Sequence, residues 1–352
     1  MSEDQPFKFD VIIGNPPYQE ETIGDNKGFA PPIYHKFLES AYEIGDIVEM
    51  IHPGRFLFNA GSTPKAWNKK MLNDEHLKVL FYEQDSSKVF QNTDIKGGVA
   101  VTYHDLNQEF DSISVFTPFE ELHNIMQKVG LREDFQSFSG IIYAPENYKF
   151  TDKMHEDYPT AESRLSKGHK YDLKSNVFDK LDDIFLDDVP KNEVQNDYIK
   201  IYGLKNKKRV FQFIKKEYIR NNTNLMSWKV FVPKANGSGA IGEVLSTPLI
   251  GEPLIGNTQT FISIGDFSTE YEASATLKYI KGKFCRALLG ILKITQDNTQ
   301  SRWACVPLQD FTPESDIDWT KSIPEIDQQL YKKYGLSKDE IDFIETHVKE
   351  MN

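Results

Sequence analysis

Phe9-Asp10-Val11-Ile12-Ile13-Gly14-Asn15-Pro16-Pro17-Tyr18 is the stretch that decides the fold of the first part of this 352-residue chain. The apolar run before Gly14 predicts a β-strand. The two prolines fix φ and bias the residue before each toward extended backbone, so the turn that follows the strand is stiff. A strand that ends in such a polar and aromatic turn is typical of a ligand-binding loop at the carboxyl end of a parallel sheet.

Asn15, Pro16 and Tyr18 carry groups suited to the modification of an amino nitrogen. The Asn15 carboxamide oxygen and the Pro16 backbone carbonyl can each accept one N–H of an adenine amino group, which favours the pyramidal nitrogen that forms during attack on a methyl group. The Tyr18 ring offers a stacking face to an extruded base, and base–aromatic stacking contributes about 1–3 kcal/mol. A plain Pro-rich turn is the alternative interpretation.

A strand followed by Asn15-Pro16-Pro17-Tyr18 resembles the catalytic motif of the S-adenosylmethionine-dependent adenine-N6 DNA methyltransferases of restriction-modification systems. The resemblance implies that these four residues are catalytic, that Tyr18 stacks on a flipped adenine, and that S-adenosylmethionine is the methyl donor. Glutamine-N5 protein methyltransferases and some RNA adenine or guanine methyltransferases carry the same four residues. Glutamine-N5 methylation is disfavoured, because that chemistry needs no large basic recognition domain. The motif therefore indicates the reaction more firmly than the substrate.

Residues after the motif alternate between helical and strand patterns. Helices are predicted around residues 32–42 and 62–71, and strands at residues 46–52, 77–82 and 96–103. The last of these strands is expected to pair back against the one before it. The sequence thus predicts an α/β fold in which residues 1–136 form the C-terminal half of a Rossmann-like methyltransferase sheet.

Phe90 is the candidate for a second stacking ring, because it is an apolar side chain in a loop rich in Ser, Asn and Asp. The resembled family places an aromatic residue of the base pocket in this loop. The alternative is a loop anchor that pins the connection to the sheet. Phe29 and Phe56 are further candidates.

No donor-binding motif is recognisable in the chain. The resembled family holds the donor on a Gly-rich turn after a first strand, and the residues before Phe9 do not provide one. The Gly-rich stretches at 236–239 and 251–256 do not lie between a strand and a helix, so we interpret both as turns. The cofactor-binding residues are therefore unassigned. We expect a separate polypeptide or an upstream segment to supply the donor-binding half, to pair with an exposed apolar edge at Phe9–Ile13, and to be needed for activity.

The overall composition is ordinary for a chain with a packed core, at 39% hydrophobic and 27% charged residues. Cys285 and Cys305 lack metal-ligand spacing, the histidines form no Glu-x-x-His pair, and no targeting or membrane segment is recognisable. These features lead us to expect a cytoplasmic protein without a metal.

The net charge of −12 hides a basic segment at residues 199–234, which carries +9 and leaves −21 for the rest of the chain. Aromatic residues alternate with its cations, a combination suited to phosphate contacts and base stacking. A solvated hairpin whose rings face a core is the alternative. The cations that we predict to bind DNA in this segment are Lys205, Lys207, Lys208, Arg209, Lys215, Lys216 and Arg220.

Residues 137–313 are predicted to be a second, α+β domain, since they show many short strand-like runs and no αβ alternation. Its stretches at 233–239, 256–260 and 292–296 resemble the target-recognition domain of restriction-modification adenine methyltransferases, which implies that this domain recognises DNA. Gln296 and Arg302, which follow a helical pattern at 279–293, are further candidate DNA contacts. Residues 314–352 read as a tail with a buried Trp319 and two short helices. Double-stranded DNA is therefore the expected partner, and a non-catalytic DNA-binding specificity module is the alternative function.

Overall fold

The computed structural model describes residues 8–20, 30–59, 61–220 and 223–351. The chain divides into two compact units, which meet in sequence at Phe119 and Glu120. The three-domain division predicted from the sequence is finer than this and stays a prediction.

The first unit is an α/β structure whose four strands form one sheet in the order β1-β2-β4-β3. Strands β1 and β2 are parallel, whereas β4 runs antiparallel to both β2 and β3. The elements are β1 (Phe9–Gly14), α1 (Tyr34–Ile44), β2 (Gly45–Pro53), α2 (Lys65–Leu72), β3 (Leu77–Glu83) and β4 (Val99–Asp105). This confirms the predicted alternation and the pairing of the last two strands, while the half-Rossmann description stays a prediction.

Strand β1 is the edge of this sheet, and its apolar side chains are unusually exposed. Phe9, Val11 and Ile13 have exposed fractions of 45%, 50% and 75%. Helix α1 packs against β2 instead, through the buried side chains of Tyr34 and Leu38. The exposed apolar edge expected from the sequence is therefore present among the described residues.

The second unit begins with helix α3 and contains two further sheets, of three and four strands. Their orders are β10-β6-β7 and β5-β11-β8-β9. The strands are β5 (Ile142–Tyr143), β6 (Tyr198–Lys205), β7 (Lys208–Lys215), β8 (Trp228–Pro233), β9 (Leu249–Gly251), β10 (Ile255–Asn257) and β11 (Phe261–Phe267). The Tyr202 ring joins the two sheets by stacking on Phe261 at 4.2 Å between centroids.

Helices of the second unit cover its sheets and form the tail. They are α3 (Glu120–Gly130), α4 (Asp152–Asp157), α5 (Ala161–Arg164), α6 (Val177–Lys180), α7 (Glu270–Lys281), α8 (Lys283–Leu292), α9 (Ile323–Lys333) and α10 (Lys338–His347). The prediction of one helix at 279–293 was wrong, because this range spans the end of α7 and the whole of α8. Extended backbone at Gly282 separates the two helices.

The tail has the predicted form. Trp319 is buried and donates its indole N–H to the Asp310 carbonyl at 2.8 Å. The two predicted helices are α9 and α10, and Ser337 and Glu340 form a capping box at the start of α10. No helix within the described ranges has both the length and the apolar character to cross a membrane.

Asp327 of α9 caps the start of α8, where Gly282 offers no side chain. Its carboxylate accepts hydrogen bonds from the backbone N–H of Lys283 at 2.8 Å and of Phe284 at 3.1 Å. Burial raises the pKa of Asp327 to about 6, although these two hydrogen bonds oppose the shift.

We predict that Asp327→Ala lowers the free energy of unfolding by about 1–3 kcal/mol, because two buried amides lose their acceptor. Between about pH 4 and pH 6 the folded protein holds a proton on Asp327 that the unfolded chain has lost, so this group makes stability fall as the pH rises. Asp327→Asn should remove that part of the slope. Urea unfolding at several pH values measures both effects, and an Asn variant with the wild-type pH profile would contradict the assignment.

Candidate active site and nucleic-acid interface

The sheet of the first unit brings three loops to one edge. Strands β1 and β2 are parallel, and β3 shares their direction because both β2 and β3 are antiparallel to β4. Their carboxyl ends therefore lie at the same edge of the sheet. The loops that leave this edge are residues 15–18, residues 54–64 and residues 84–98.

The Asn15–Tyr18 turn is held in place while its polar group stays available. The Tyr18 carbonyl accepts a hydrogen bond from the Ile33 N–H at 3.2 Å, which ties the turn to the residue before α1. Pro16 is buried, Pro17 is exposed, and the exposed Asn15 side chain has no hydrogen-bond partner within the described residues. Among the described residues, nothing occupies the Asn15 carboxamide, so none of them competes with a ligand for it.

Tyr18 turns its hydroxyl inward. The hydroxyl oxygen is buried without a hydrogen-bond partner among the described residues, and burial raises the pKa of the phenol. The residue as a whole is half-buried, so part of its ring remains accessible. This arrangement suits a stacking role, which uses the face of the ring and not the hydroxyl.

A cavity of about 200 Å³ lies beside Tyr18 at this edge. Tyr34 of α1 contributes one wall. Its ring is held in place by stacking on the buried His52 ring at 5.6 Å between centroids. The cavity is lined by residues from all three loops and from the start of α1, namely Tyr18, Gln19, Ala30, Pro32, Tyr34, Pro53, Arg55, Gly61, Ser62, Thr63, Asp94, Ile95 and Lys96.

Arg55 ties two of these loops together. Its Nε donates a hydrogen bond to the backbone carbonyl of Lys96. Gly98 completes the close approach of the loop to β3, because a Cβ at this position would lie 2.4 Å from the Glu83 carbonyl oxygen. Sequence reasoning did not identify Arg55 or Tyr34 as site residues, although Arg55 follows the carboxyl end of a predicted strand and that position was a usable signal.

Phe90 lies in the same 84–98 loop that lines the cavity. It is half-buried, and its N–H donates to the Ser86 carbonyl at 2.8 Å. The Thr93 hydroxyl donates to the Phe90 carbonyl, also at 2.8 Å. Phe56, by contrast, is buried in the core against Trp67, and Phe29 lies outside the described residues. The loop is therefore organised, and Phe90 remains the candidate second ring.

The Gly-rich stretches do not fit a donor site. In the 236–239 turn, the backbone N–H groups of Ser238 and Gly239 donate to the Glu243 carboxylate at 2.7 Å and 3.1 Å. Burial opposes the ionisation of Glu243, but these hydrogen bonds outweigh it and lower the pKa to about 2. These amides are thus not available to bind a carboxylate or hydroxyl of the methyl donor, and the 251–256 stretch runs from the end of β9 into β10 and not from a strand into a helix.

The predicted cations of the basic segment fall into two groups. Lys205, Lys207, Lys208 and Arg209 lie at the tip of the β6–β7 hairpin, where Asn206 and Lys207 both have positive φ, at 50° and 63°. Lys215, Lys216 and Arg220 follow the opposite end of β7, roughly 20 Å away at 3.3 Å per residue. The segment therefore does not form one continuous patch.

Several of these cations already have partners. Lys205 pairs with Asp187 at 2.9 Å, and Lys215 pairs with Glu193 at 3.1 Å. Arg220 lies over the Tyr171 ring at 4.7 Å from its centroid. Lys207, Lys208 and Lys216 are exposed and make no ion pair with a described residue. Lys207 and Lys208 are adjacent at the hairpin tip, which therefore carries two neighbouring cations without an ion-pair partner among the described residues.

Of the two further predicted DNA contacts, Arg302 is bound within the fold and Gln296 is not bound to a described residue. Arg302 is half-buried and donates from Nε to the Asp297 carboxylate at 3.0 Å, so the guanidinium is largely committed within the fold. The Gln296 side chain is exposed and has no hydrogen-bond partner within the described residues.

A family-model match falls on the part of the chain that carries the motif. Residues 3–90 match the family model of the Eco57I restriction-modification methylase. A stretch of 95 residues is 32% identical to an uncharacterised adenine-specific methylase of Mycoplasma pneumoniae, and it covers 26% of this chain and 22% of that protein. These two matches confirm the resemblance to restriction-modification adenine methyltransferases over about a quarter of the chain.

Two solved structures show a weaker likeness over more of the chain. The type IIG restriction endonuclease BpuSI is 10% identical at a TM-score of 0.34, with 96% of this chain and 54% of that chain covered. The type IIL restriction-modification enzyme MmeI in complex with DNA is 10% identical at a TM-score of 0.35, with 96% and 56% covered. This chain therefore spans about half the length of both enzymes, and likenesses this remote do not assign a fold.

We predict that Tyr18→Phe leaves the free energy of unfolding unchanged or slightly raised, because the lost hydroxyl is buried without a described partner. Tyr34→Phe is the matched control, since its hydroxyl is also buried but is hydrogen-bonded to Thr63. That control should cost about 1 kcal/mol. Urea unfolding of both variants tests the geometry, and a Tyr18→Phe loss as large as the Tyr34→Phe loss would refute it.

Proposed function

We propose that this chain acts in a restriction-modification system, where it transfers a methyl group from S-adenosylmethionine to the amino nitrogen of adenine in double-stranded DNA. The observation that carries the proposal is the position of Asn15-Pro16-Pro17-Tyr18 at the carboxyl edge of the sheet, where Tyr18, the last residue of the motif, lines a cavity of about 200 Å³. The Asn15 side chain is exposed and unpaired within the described residues, as a substrate-binding group must be.

The proposed roles follow from the chemistry of each group. The Asn15 carboxamide oxygen and the Pro16 carbonyl accept the two amino N–H groups and so favour a pyramidal nitrogen. Tyr18 stacks on the extruded base, and Phe90 is the proposed second stacking residue. The methylated nitrogen is acidic enough to release its proton to water, so no strong general base is needed.

S-adenosylmethionine would supply the electrophilic methyl group. Neither Gly-rich stretch of this chain fits a site for this donor. The amides of the 236–239 turn bind Glu243, and the 251–256 stretch connects two strands. The donor-binding residues are therefore unassigned, and a separate polypeptide or another segment that provides them is part of the proposal.

Double-stranded DNA is the proposed partner of the second unit. The proposed contacts are Lys205, Lys207, Lys208, Arg209, Lys215, Lys216, Arg220, Gln296 and Arg302. Within this set, the exposed hairpin tip at Lys207 and Lys208 is the best placed to contact phosphates, since these two adjacent cations have no ion-pair partner among the described residues.

We predict that Asn15→Ala abolishes the formation of N6-methyladenine and leaves DNA binding intact, because the amino group loses an acceptor but the DNA-binding surface is unchanged. The substrate is genomic DNA without N6-methyladenine. This DNA is incubated with S-adenosylmethionine and the cell extract of a strain that expresses the chain. It is then digested to nucleosides, and N6-methyladenine is measured by mass spectrometry.

Asn107→Ala is the control for this experiment. Asn107 is exposed like Asn15, but it follows β4 at the opposite edge of the same sheet. The Asn107→Ala variant should methylate DNA as the wild type does. Methyl transfer by Asn15→Ala at the wild-type rate, or methyl groups on protein glutamine instead of adenine, would contradict the proposed reaction.

We also predict that the double charge reversal Lys207→Glu and Lys208→Glu weakens DNA binding and reduces its salt dependence. Each phosphate contact contributes about 0.9 to the slope of log affinity against log salt, so the slope should fall by about 2. Lys332→Glu with Lys338→Glu is the matched control, as both residues are exposed on the tail helices. Equal effects of the two double variants on the slope would show that the hairpin tip has no special role.

A further inference from the structure

The guanidinium of Arg55 lies at the cavity beside Tyr18, and its donors are only partly used. Arg55 follows the carboxyl end of β2, is half-buried, and lines this cavity of about 200 Å³. Its Nε donates to the backbone carbonyl of Lys96, but no hydrogen bond or ion pair joins its Nη1 or Nη2 group to a described residue. Two of the three guanidinium nitrogens therefore remain for a ligand.

Two glycines from different loops allow the chain to close on the aliphatic stem of Arg55. Gly61 has a φ of 89° and Gly97 a φ of 83°, which are conformations that other residues rarely adopt. A Cβ at Gly61 would lie 3.1 Å from the Arg55 Cδ, and a Cβ at Gly97 would lie 2.6 Å from its Cγ. The stem is thus held between two loops and the Nε is held by a carbonyl, so little conformational entropy is lost when the guanidinium binds a ligand.

Arg55 also supplies the unpaired charge of the cavity lining. The other charged side chains of the described lining are Asp94 and Lys96, which pair with each other at 2.7 Å. The exposed Ser62 hydroxyl lines the same cavity and has no hydrogen-bond partner within the described ranges. Among the described residues, the lining therefore has a net positive charge and available donors, which is the complement of an oxyanion.

The neighbouring rings indicate which oxyanion the guanidinium binds. Tyr18, the proposed stacking residue, and Tyr34 line the same small cavity as Arg55. An aromatic face for a base and a guanidinium for a phosphate are the two groups that a single nucleotide needs, since its base and its phosphate are joined through one sugar. A carboxylate of the methyl donor is the other oxyanion that fits a guanidinium in the same bidentate geometry.

We propose that Arg55 binds a phosphodiester that flanks the extruded adenine and so positions this nucleotide while Tyr18 stacks on its base. The Nη1 and Nη2 groups donate to the two non-bridging oxygens of the phosphate in parallel hydrogen bonds. The contact offsets part of the cost of unstacking the base. This inference rests on the proposed function, because it assigns a further substrate contact to the same site.

The test uses the full chain and a fluorescently labelled DNA duplex with one unpaired adenine, whose extrusion costs little. Its affinity is measured by fluorescence anisotropy and compared with that of the fully paired duplex. Uncharged methylphosphonate linkages then replace the two phosphates that flank the unpaired adenine, one at a time. One of these replacements should weaken wild-type binding by about 10-fold, as expected for the loss of a charge-assisted hydrogen bond, whereas a replacement far from the unpaired adenine should have a much smaller effect.

Two variants show whether Arg55 is the partner of that phosphate. Arg55→Gln should bind the duplex with the sensitive phosphate and its methylphosphonate counterpart with equal affinity. Lys69→Gln is the matched control, since Lys69 is an exposed cation of the same unit that does not line the cavity and makes no ion pair with a described residue. The Lys69→Gln variant should keep the difference of about 10-fold.

A wild type that tolerates methylphosphonate at both flanking positions, or an Arg55→Gln variant that keeps the wild-type sensitivity, would overturn the inference. Calorimetric binding of S-adenosylmethionine that Arg55→Gln abolishes, with the sensitivity to methylphosphonate unchanged, would also overturn it, because the anion would then be the donor carboxylate. If the unpaired adenine still tightens binding in these cases, only the role of Arg55 fails. If the unpaired adenine gives no gain over the paired duplex, the proposed function fails as well.

Discussion

The parallel pairing of β1 with β2 is the constraint on which the candidate active site depends. It places the Asn15–Tyr18 turn and the end of β2 at one edge of the sheet, since the last residue of β1, Gly14, pairs with Met50 near the end of β2. Because β1 is the edge strand, its position is fixed by one neighbour alone among the described residues. Stiff prolines and the hydrogen bond from the Ile33 N–H to the Tyr18 carbonyl then hold the turn without using the Asn15 amide.

The second unit also fixes the backbone next to an exposed amide side chain. Buried Lys293 donates hydrogen bonds to the carbonyls of Asn236 and Thr295, and these bonds hold the backbone around the exposed Gln296. In both units, therefore, the backbone next to the candidate ligand-binding amide is fixed by hydrogen bonds, whereas the amide itself has no described partner. Such pre-organisation lowers the entropic cost of binding.

Local sequence patterns predicted the elements well and the tertiary neighbours poorly. The strands around Gly14 and the tail helices follow from periodicity and caps, which are local signals. The roles of Arg55 and Tyr34 depend on which loops meet at the sheet edge, and that information is not local. The net charge of +9 on residues 199–234 suggested one continuous DNA-binding surface. In the structure, however, the length of β7 separates Arg209 from Lys215, and Asp187 and Glu193 form ion pairs with two of the cations. Charge counted along the chain does not reveal such pairing.

The central claim is that the sheet edge at Asn15–Tyr18 holds an extruded adenine. The most direct measurement is photo-crosslinking to duplex DNA in which adenine is partly replaced by photoreactive 8-azidoadenine, followed by mass-spectrometric location of the adducts. The account predicts adducts on Tyr18 and on the 84–98 loop that carries Phe90. Adducts confined to the opposite edge of the sheet, where Asn107 follows β4, would contradict it.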